Sequence, residues 1–150
     1  MADNMTVSFD PSDFLQNMVL TERRAYDGAM LGLQDCLDEL VRISSEIAPT
    51  DKGVLQRSHS TALNTKVGEV DGTVEYSVSE SNGSGDFNYA LWIHEGEYNL
   101  GAQSLAKPGT TGWSGTNYTV GNKYLERPLK GEEESFYRHI ADEVRTAMGY

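Results

Sequence analysis

Between Tyr26 and Ile47 apolar side chains return every three or four residues, as Tyr26, Met30, Leu33, Leu37, Leu40, Val41 and Ile47, and Pro49 closes the series. That spacing places them on one stripe of an α-helix. Residues 24 to 47 would run about 36 Å at 1.5 Å per residue, so the rest of a small domain has to pack along this one element. Upstream, Asp10-Pro11-Ser12 reads as a helix start, because proline fits a first turn, with Phe14, Leu15 and Met18 on one face. Glu22, Asp27, Asp35, Asp38, Glu39 and Glu46 fall mostly off the stripe, as a solvated face would.

After Gly53 the period changes. Ser58 to Val67 and Glu69 to Val78 are rich in β-branched and aromatic residues with partial alternation, which reads as two strands, with Asp71-Gly72 as a turn or a bulge. Ser79 to Asp86, SESNGSGD, reads as a polar connection. Phe87 to His94, FNYALWIH, is too short for periodicity to assign. Gly96 to Gly121 holds six of the fifteen glycines and no convincing helix or strand. Structureless segments of that length tend to be binding loops or to order on assembly, and the expectation here is a loop that orders only on assembly. In the last stretch Phe136, Ile140, Val144 and Met148 recur every four residues, with Glu132, Glu133 and Glu134 expected at the positive end of a helix, Arg145 near its negative end and Gly149 as its stop. The expected fold class is therefore α+β: a long N-terminal helix and a C-terminal helix packed on a small, mainly antiparallel sheet, with a long Gly-rich loop. One domain spans 1–150, with 1–20 as an N-terminal extension and 96–121 as the extended loop.

Composition narrows the function. The chain has 150 residues and a mass of 16.6 kDa, for which area scaling gives roughly 7,600 Å² exposed when folded, so a core forms without disulfide or metal. Lys and Arg total 12 against 23 Asp and Glu, a net charge of -11. Such a balance argues against a general nucleic-acid binder and against anionic membrane surfaces. The excess is confined to the first two thirds: residues 101–150 carry equal numbers of acids and bases. No apolar run spans a bilayer, and Cys36, the single cysteine, lies in the helical series as a buried thiol, which fits a reducing cytosol.

Local motifs for chemistry are incomplete. His94-Glu95 begins the HExxH pattern of zinc proteases, but the residue four after His94 is Tyr98, so a strand-end His and Glu at a turn is the competing reading. Ser58 and Ser60 flank His59 and would point to the opposite sheet face from it. Gly83-Ser84-Gly85 lacks the Lys-Ser or Lys-Thr of a phosphate loop, and Glu132-Glu133-Glu134 reads as solvated charge. No catalytic residue, cofactor or metal ligand is expected. The rival of another class is a small hydrolase using His94, Glu95 and His59.

Pro49-Thr50-Asp51-Lys52-Gly53-Val54-Leu55-Gln56-Arg57-Ser58 has the logic of a helix-to-sheet corner. Pro49 stops the helix, Thr50 or Asp51 caps a short turn, Gly53 bends the backbone, Leu55 turns inward and Ser58 opens a strand. Together with Tyr89-Ala90-Leu91-Trp92-Ile93-His94-Glu95-Gly96 and Tyr124-Leu125-Glu126-Arg127-Pro128-Leu129, in this order over residues 24 to 148, the chain resembles the head-tail joining and tail-completion proteins of long-tailed bacteriophages, a group that includes minor capsid proteins and tail components.

The resemblance implies a non-enzymatic virion protein of the neck, assembled in the host cytoplasm as a ring of six or twelve copies. Its partners would be copies of itself and neighbouring connector and tail proteins, with DNA only as passing cargo and no membrane. It also implies that Pro49, Gly53, Leu55, Ser58, Tyr89, Ala90, Glu95, Gly96 and Leu125 are structural motif positions. A tail-terminator or a head-side connector is the alternative within that class. Trp113 and Tyr118, large aromatics in the Gly-rich loop, are either interface anchors or folded back on their own domain. The net charge would either hold free subunits apart or line a channel that DNA slides through.

Overall fold

The computed structural model describes residues 11–50, 53–82 and 85–150, so Asp10, Asp51, Lys52 and the Gly83-Ser84 pair lie outside the described residues. The architecture is α+β as expected. The two helical signals at the N-terminus are one element: α1 runs without a break over Ser12–Ile47, 36 residues or about 54 Å. It stops where Ala48 turns to extended backbone ahead of the buried Pro49. At the other end of the chain α5, Glu126–Met148, packs antiparallel to α1. Val144 lies against Gly28, Ile140 against Gly32, and the Cys36 thiol faces the Phe136 carbonyl. The two glycines set how close the helices come: a Cβ on Gly28 would stand 2.7 Å from the Glu143 carbonyl oxygen, and one on Gly32 would stand 2.8 Å from Ile140 Cα. Gly149, at φ 90°, ends α5, with its own N–H on Thr146 and that of Tyr150 on Arg145.

The corner after α1 keeps Gly53 and Leu55 in their expected roles but not the cap: no side-chain bond caps the short turn, Thr50 instead accepts from the Gln56 side chain at 2.7 Å, and Asp51 lies outside the described residues. Gly53 sits at φ 70°, α2 is a single turn over Val54–Arg57, and Leu55 points into the core. Strands β1 (His59–Lys66) and β2 (Glu69–Tyr76) form an antiparallel hairpin whose turn is Val67-Gly68. Gly72 is neither turn nor bulge. It pairs in register with Leu63, and its missing side chain makes room for Leu37, whose Cδ1 would lie 2.9 Å from a Cβ there. The hairpin tip is tied to α1 by the Gly68 N–H, which donates to the Tyr26 hydroxyl.

The polar SESNGSGD segment is also not a plain connection, because it holds β3 (Ser79–Asn82) and the start of β4 (Gly85–Asn88), which pair antiparallel. FNYALWIH divides at Asn88, whose side chain accepts from the Leu91 N–H and starts helix α3, Tyr89–Glu95. His94 and Glu95 therefore close a short helix rather than a strand. The Gly-rich loop contains α4 (Ala102–Leu105) and a two-residue ladder between β5 (Thr110–Thr111) and β6 (Asn117–Tyr118). Glu132, Glu133 and Glu134 lie beyond the first turn of α5, where Glu126 sits instead. No helix among the described residues is long and apolar enough to cross a membrane.

Candidate functional site

The three motif blocks, far apart in sequence, meet in one core. Ile43, Ile47, Ala48, Leu55, Ala90, Ile93, Tyr118 and Tyr124 form its buried cluster, with Tyr89 and Leu125 packed against it. Residues in and beside the blocks join them. Gly121 N–H donates to the Ile47 carbonyl at 3.1 Å, Lys123 N–H to the His94 carbonyl at 2.7 Å, and the Tyr124 hydroxyl to the Ala90 carbonyl at 3.1 Å. The Asn122 side chain reaches the Gly96 carbonyl at 3.0 Å. Burial pushes the Tyr124 hydroxyl far above the usual tyrosine range, with Tyr76 and Tyr98 adding to it. Ser58 closes the corner by donating to the Leu55 carbonyl at 2.8 Å. All of these bonds fix backbone, so the positions that carry the resemblance work as joints.

His94 is held at both nitrogens. Nδ1 lies 2.7 Å from Glu95 Oε1, and the Glu126 N–H donates to Nε2 at 3.4 Å. With Nε2 accepting, the proton sits on Nδ1 facing Glu95. Its ring stands edge-on to Tyr124, Tyr124 to Tyr76, and Tyr76 tilts against His59, so the two imidazoles are at opposite ends of a row of rings. Lys123, at φ 51°, spans the neighbouring acids with Nζ on Glu95 and, at 3.1 Å, on Glu126. Lys123, then His94, hold the Glu95 carboxyl below its usual range, and Lys130, then Lys123, hold Glu126 down to about 2.

The Gly-rich loop lies on the two long helices. Glu132 has no exposed surface. Its oxygens accept from the Ser114 N–H at 2.7 Å, the Ser114 hydroxyl at 2.6 Å and the Tyr118 hydroxyl at 2.8 Å. Glu132 is thus a buried anchor, not solvated charge, and Tyr118 is inside its own domain rather than available as an interface anchor. Burial and then Glu132 push the Tyr118 hydroxyl up to about 12. Trp113 folds back edge-on to Phe136 at 5.7 Å and over His139 at 4.9 Å, while remaining 46% exposed. Glu39, another acid read as solvated, is buried and takes two bonds at 2.7 Å from Arg42, which also donates to Thr110 and Thr111 of the loop. Lys107 caps the end of α1 through the Ala48 carbonyl at 2.8 Å.

No protein-family model, curated protein or solved structure matches this chain. Where β2 and α5 lie on either side of α1, an open groove of about 620 Å³ is lined by Leu33, Leu37, Val74, Leu129, Phe136 and Ile140 among others. Cys36 stands in its wall, and burial, then Asp35, push the thiol up to about 12, so it is a poor nucleophile. Beside Trp113, Asp35, His139 and Glu143 offer one nitrogen and two oxygens within 4.8 Å of one another, and Asp35 is already bonded to His139 at 2.8 Å. Such a donor set could hold a divalent cation only by opening that bond. Upstream, each described side chain from Ser12 to Arg24 is exposed, Leu15, Met18, Val19 and Leu20 each by half or more. Sequence reading missed the groove and the anchor Glu132. The one signal for Glu132 is that the four-residue series of α5 runs back through it to Pro128.

Proposed function

We propose that the chain is a structural protein of the phage neck, a head-tail joining or tail-completion component that assembles with copies of itself into a ring connecting capsid and tail. The observation that carries this reading is the convergence of the three motif blocks on one core, with Asn122 and Tyr124 bonded to the carbonyls of Gly96 and Ala90. Residues that resemble those of an assembly family because they build a scaffold behave this way. A substrate-binding set would leave polar groups facing a cavity. In this reading neighbouring connector and tail proteins are the partners and DNA passes through without being held, as the acidic balance favours. The virion neck is the site of action and the host cytoplasm the place of assembly.

The test is to delete the gene from the phage that carries it and to analyse purified wild-type particles by mass spectrometry. Filled heads and finished tails that accumulate unjoined, and the chain present in wild-type particles, are the expected results. Normal particle yield without the gene, or its absence from wild-type particles, overturns the reading.

A further inference from the structure

Two unpartnered surfaces on this chain match each other. The first is the projecting start of α1. Ala147 and Val144, near the end of α5, lie against Gly28, so residues 13 to 24 run on past the end of α5 with no other helix beside them among the described residues. Five turns of α-helix take 18 residues, so Leu15, Met18 and Val19 stand on the same face as Leu33, Cys36 and Leu37. The stripe that builds the core downstream is thus bare upstream. An isolated helix of this length is marginal in water, and an apolar face on it calls for cover.

The second surface is the groove formed by α1, α5 and β2. It cannot be filled by the same chain's own α1 tail. The tail and the groove belong to one continuous helix, and Met18 and Cys36 are about 27 Å apart along it. Charge favours a second copy as the occupant. The protein as a whole carries -11, yet the tail carries Asp13 and Glu22 against Arg23 and Arg24, and the groove is lined by one charge of each sign, Glu133 and Lys130, the latter bonded to Glu126. These are two places where an acidic chain does not repel itself.

We propose that the Leu15, Met18 and Val19 face of α1 from one subunit seats in the α1/α5/β2 groove of the next. The contact joins two different surfaces, so it is head to tail and generates a ring when the rotation closes. This rests on the assembly reading above and supplies its subunit contact.

Two variants test it. Leu15→Asp with Val19→Asp blocks the tail, and Leu129→Glu with Tyr137→Glu blocks the groove; all four positions are exposed, so circular dichroism and melting should match wild type. By light scattering and sedimentation, wild type should assemble beyond a dimer, and each variant should need at least about a tenfold higher concentration to associate. Mixed in equal amounts, the variants should give a one-to-one heterodimer and nothing larger, because one intact tail meets one intact groove. A mixture that stays monomeric, or a variant that assembles like wild type, overturns the contact. If a groove variant is unfolded, the tail variant mixed with wild type decides: it should shorten wild-type assemblies by capping them, and no shortening overturns the proposal. Rings formed equally well by both variants would sink this contact while leaving the neck reading intact, whereas absence of the chain from virions would sink the neck reading whatever the contact does.

Discussion

A glutamate without exposed surface persists only where its desolvation is offset, and at Glu132 the offset comes from the Ser114 N–H, the Ser114 hydroxyl and the Tyr118 hydroxyl. Cutting it back to alanine leaves the buried Tyr118 hydroxyl unpaired and releases Ser114 from α5. Glu132→Ala should therefore destabilise by about 3 kcal/mol, roughly 10 °C in melting temperature, and open residues 109–119 to limited proteolysis. Loss of less than about 1 kcal/mol with an unchanged cleavage pattern would show that the loop is held elsewhere. Glu126 makes the opposite kind of case, because it is only partly buried and its effect is electrostatic. Its folded-state pKa is depressed from 4.5 to about 2 by Lys130 and Lys123. The stabilisation is then fully present above the ordinary carboxylate range and is lost as pH falls towards about 2. Glu126→Gln should melt below wild type at pH 7 and low salt, the gap closing as pH approaches 2 and shrinking at high salt; thermal melts across that range check it. In sequence, Glu132 and Glu126 look alike. What separates them is that Glu132 continues the Phe136, Ile140, Val144 spacing, so it lies on the buried face of α5, whereas Glu126 meets lysines.

Helix α1 and helix α5 lie close because Gly28 and Gly32 remove side chains from the crossing. On propensity alone, alanine at Gly28 would gain up to about 1 kcal/mol. Its Cβ, however, would fall 2.7 Å from one backbone oxygen and 2.8 Å from Val144 Cα, atoms that move only if the helix moves. Gly28→Ala should therefore lower stability, by about 1–3 kcal/mol, in urea denaturation. A rise in stability would mean that the helices separate freely. Both long helices were legible because a 3.6-residue period survives over many turns, and the hairpin of β1 and β2 because its residues are β-branched. The other elements were not, for separate physical reasons. FNYALWIH is apolar nearly all round, so α3 carries no amphipathic signature, and its start depends on one side-chain bond from Asn88. β5 and β6 are two residues each, too short to show a period, and depend on Arg42 and Glu132 for their place. Gly72 looked like punctuation, yet it is a point of close approach to Leu37.

Neither the projecting start of α1 nor the open groove was visible in sequence, because an apolar stripe does not tell how much of its length is covered. The net charge of -11 then sets how such subunits meet. Average surfaces repel one another over a Debye length, about 30 Å at 0.01 M salt and about 8 Å at 0.15 M. The proposed contact joins apolar faces with balanced rims, so salt removes the long-range repulsion while leaving the contact itself nearly unaffected. Raising sodium chloride from about 20 mM to about 300 mM should lower the concentration for half-assembly severalfold, measured by sedimentation velocity at constant pH. Assembly that weakens over the same range would show that opposite charges, not the Leu15 to Val19 face, hold the subunits together, and the net charge would then have no part in keeping free subunits apart.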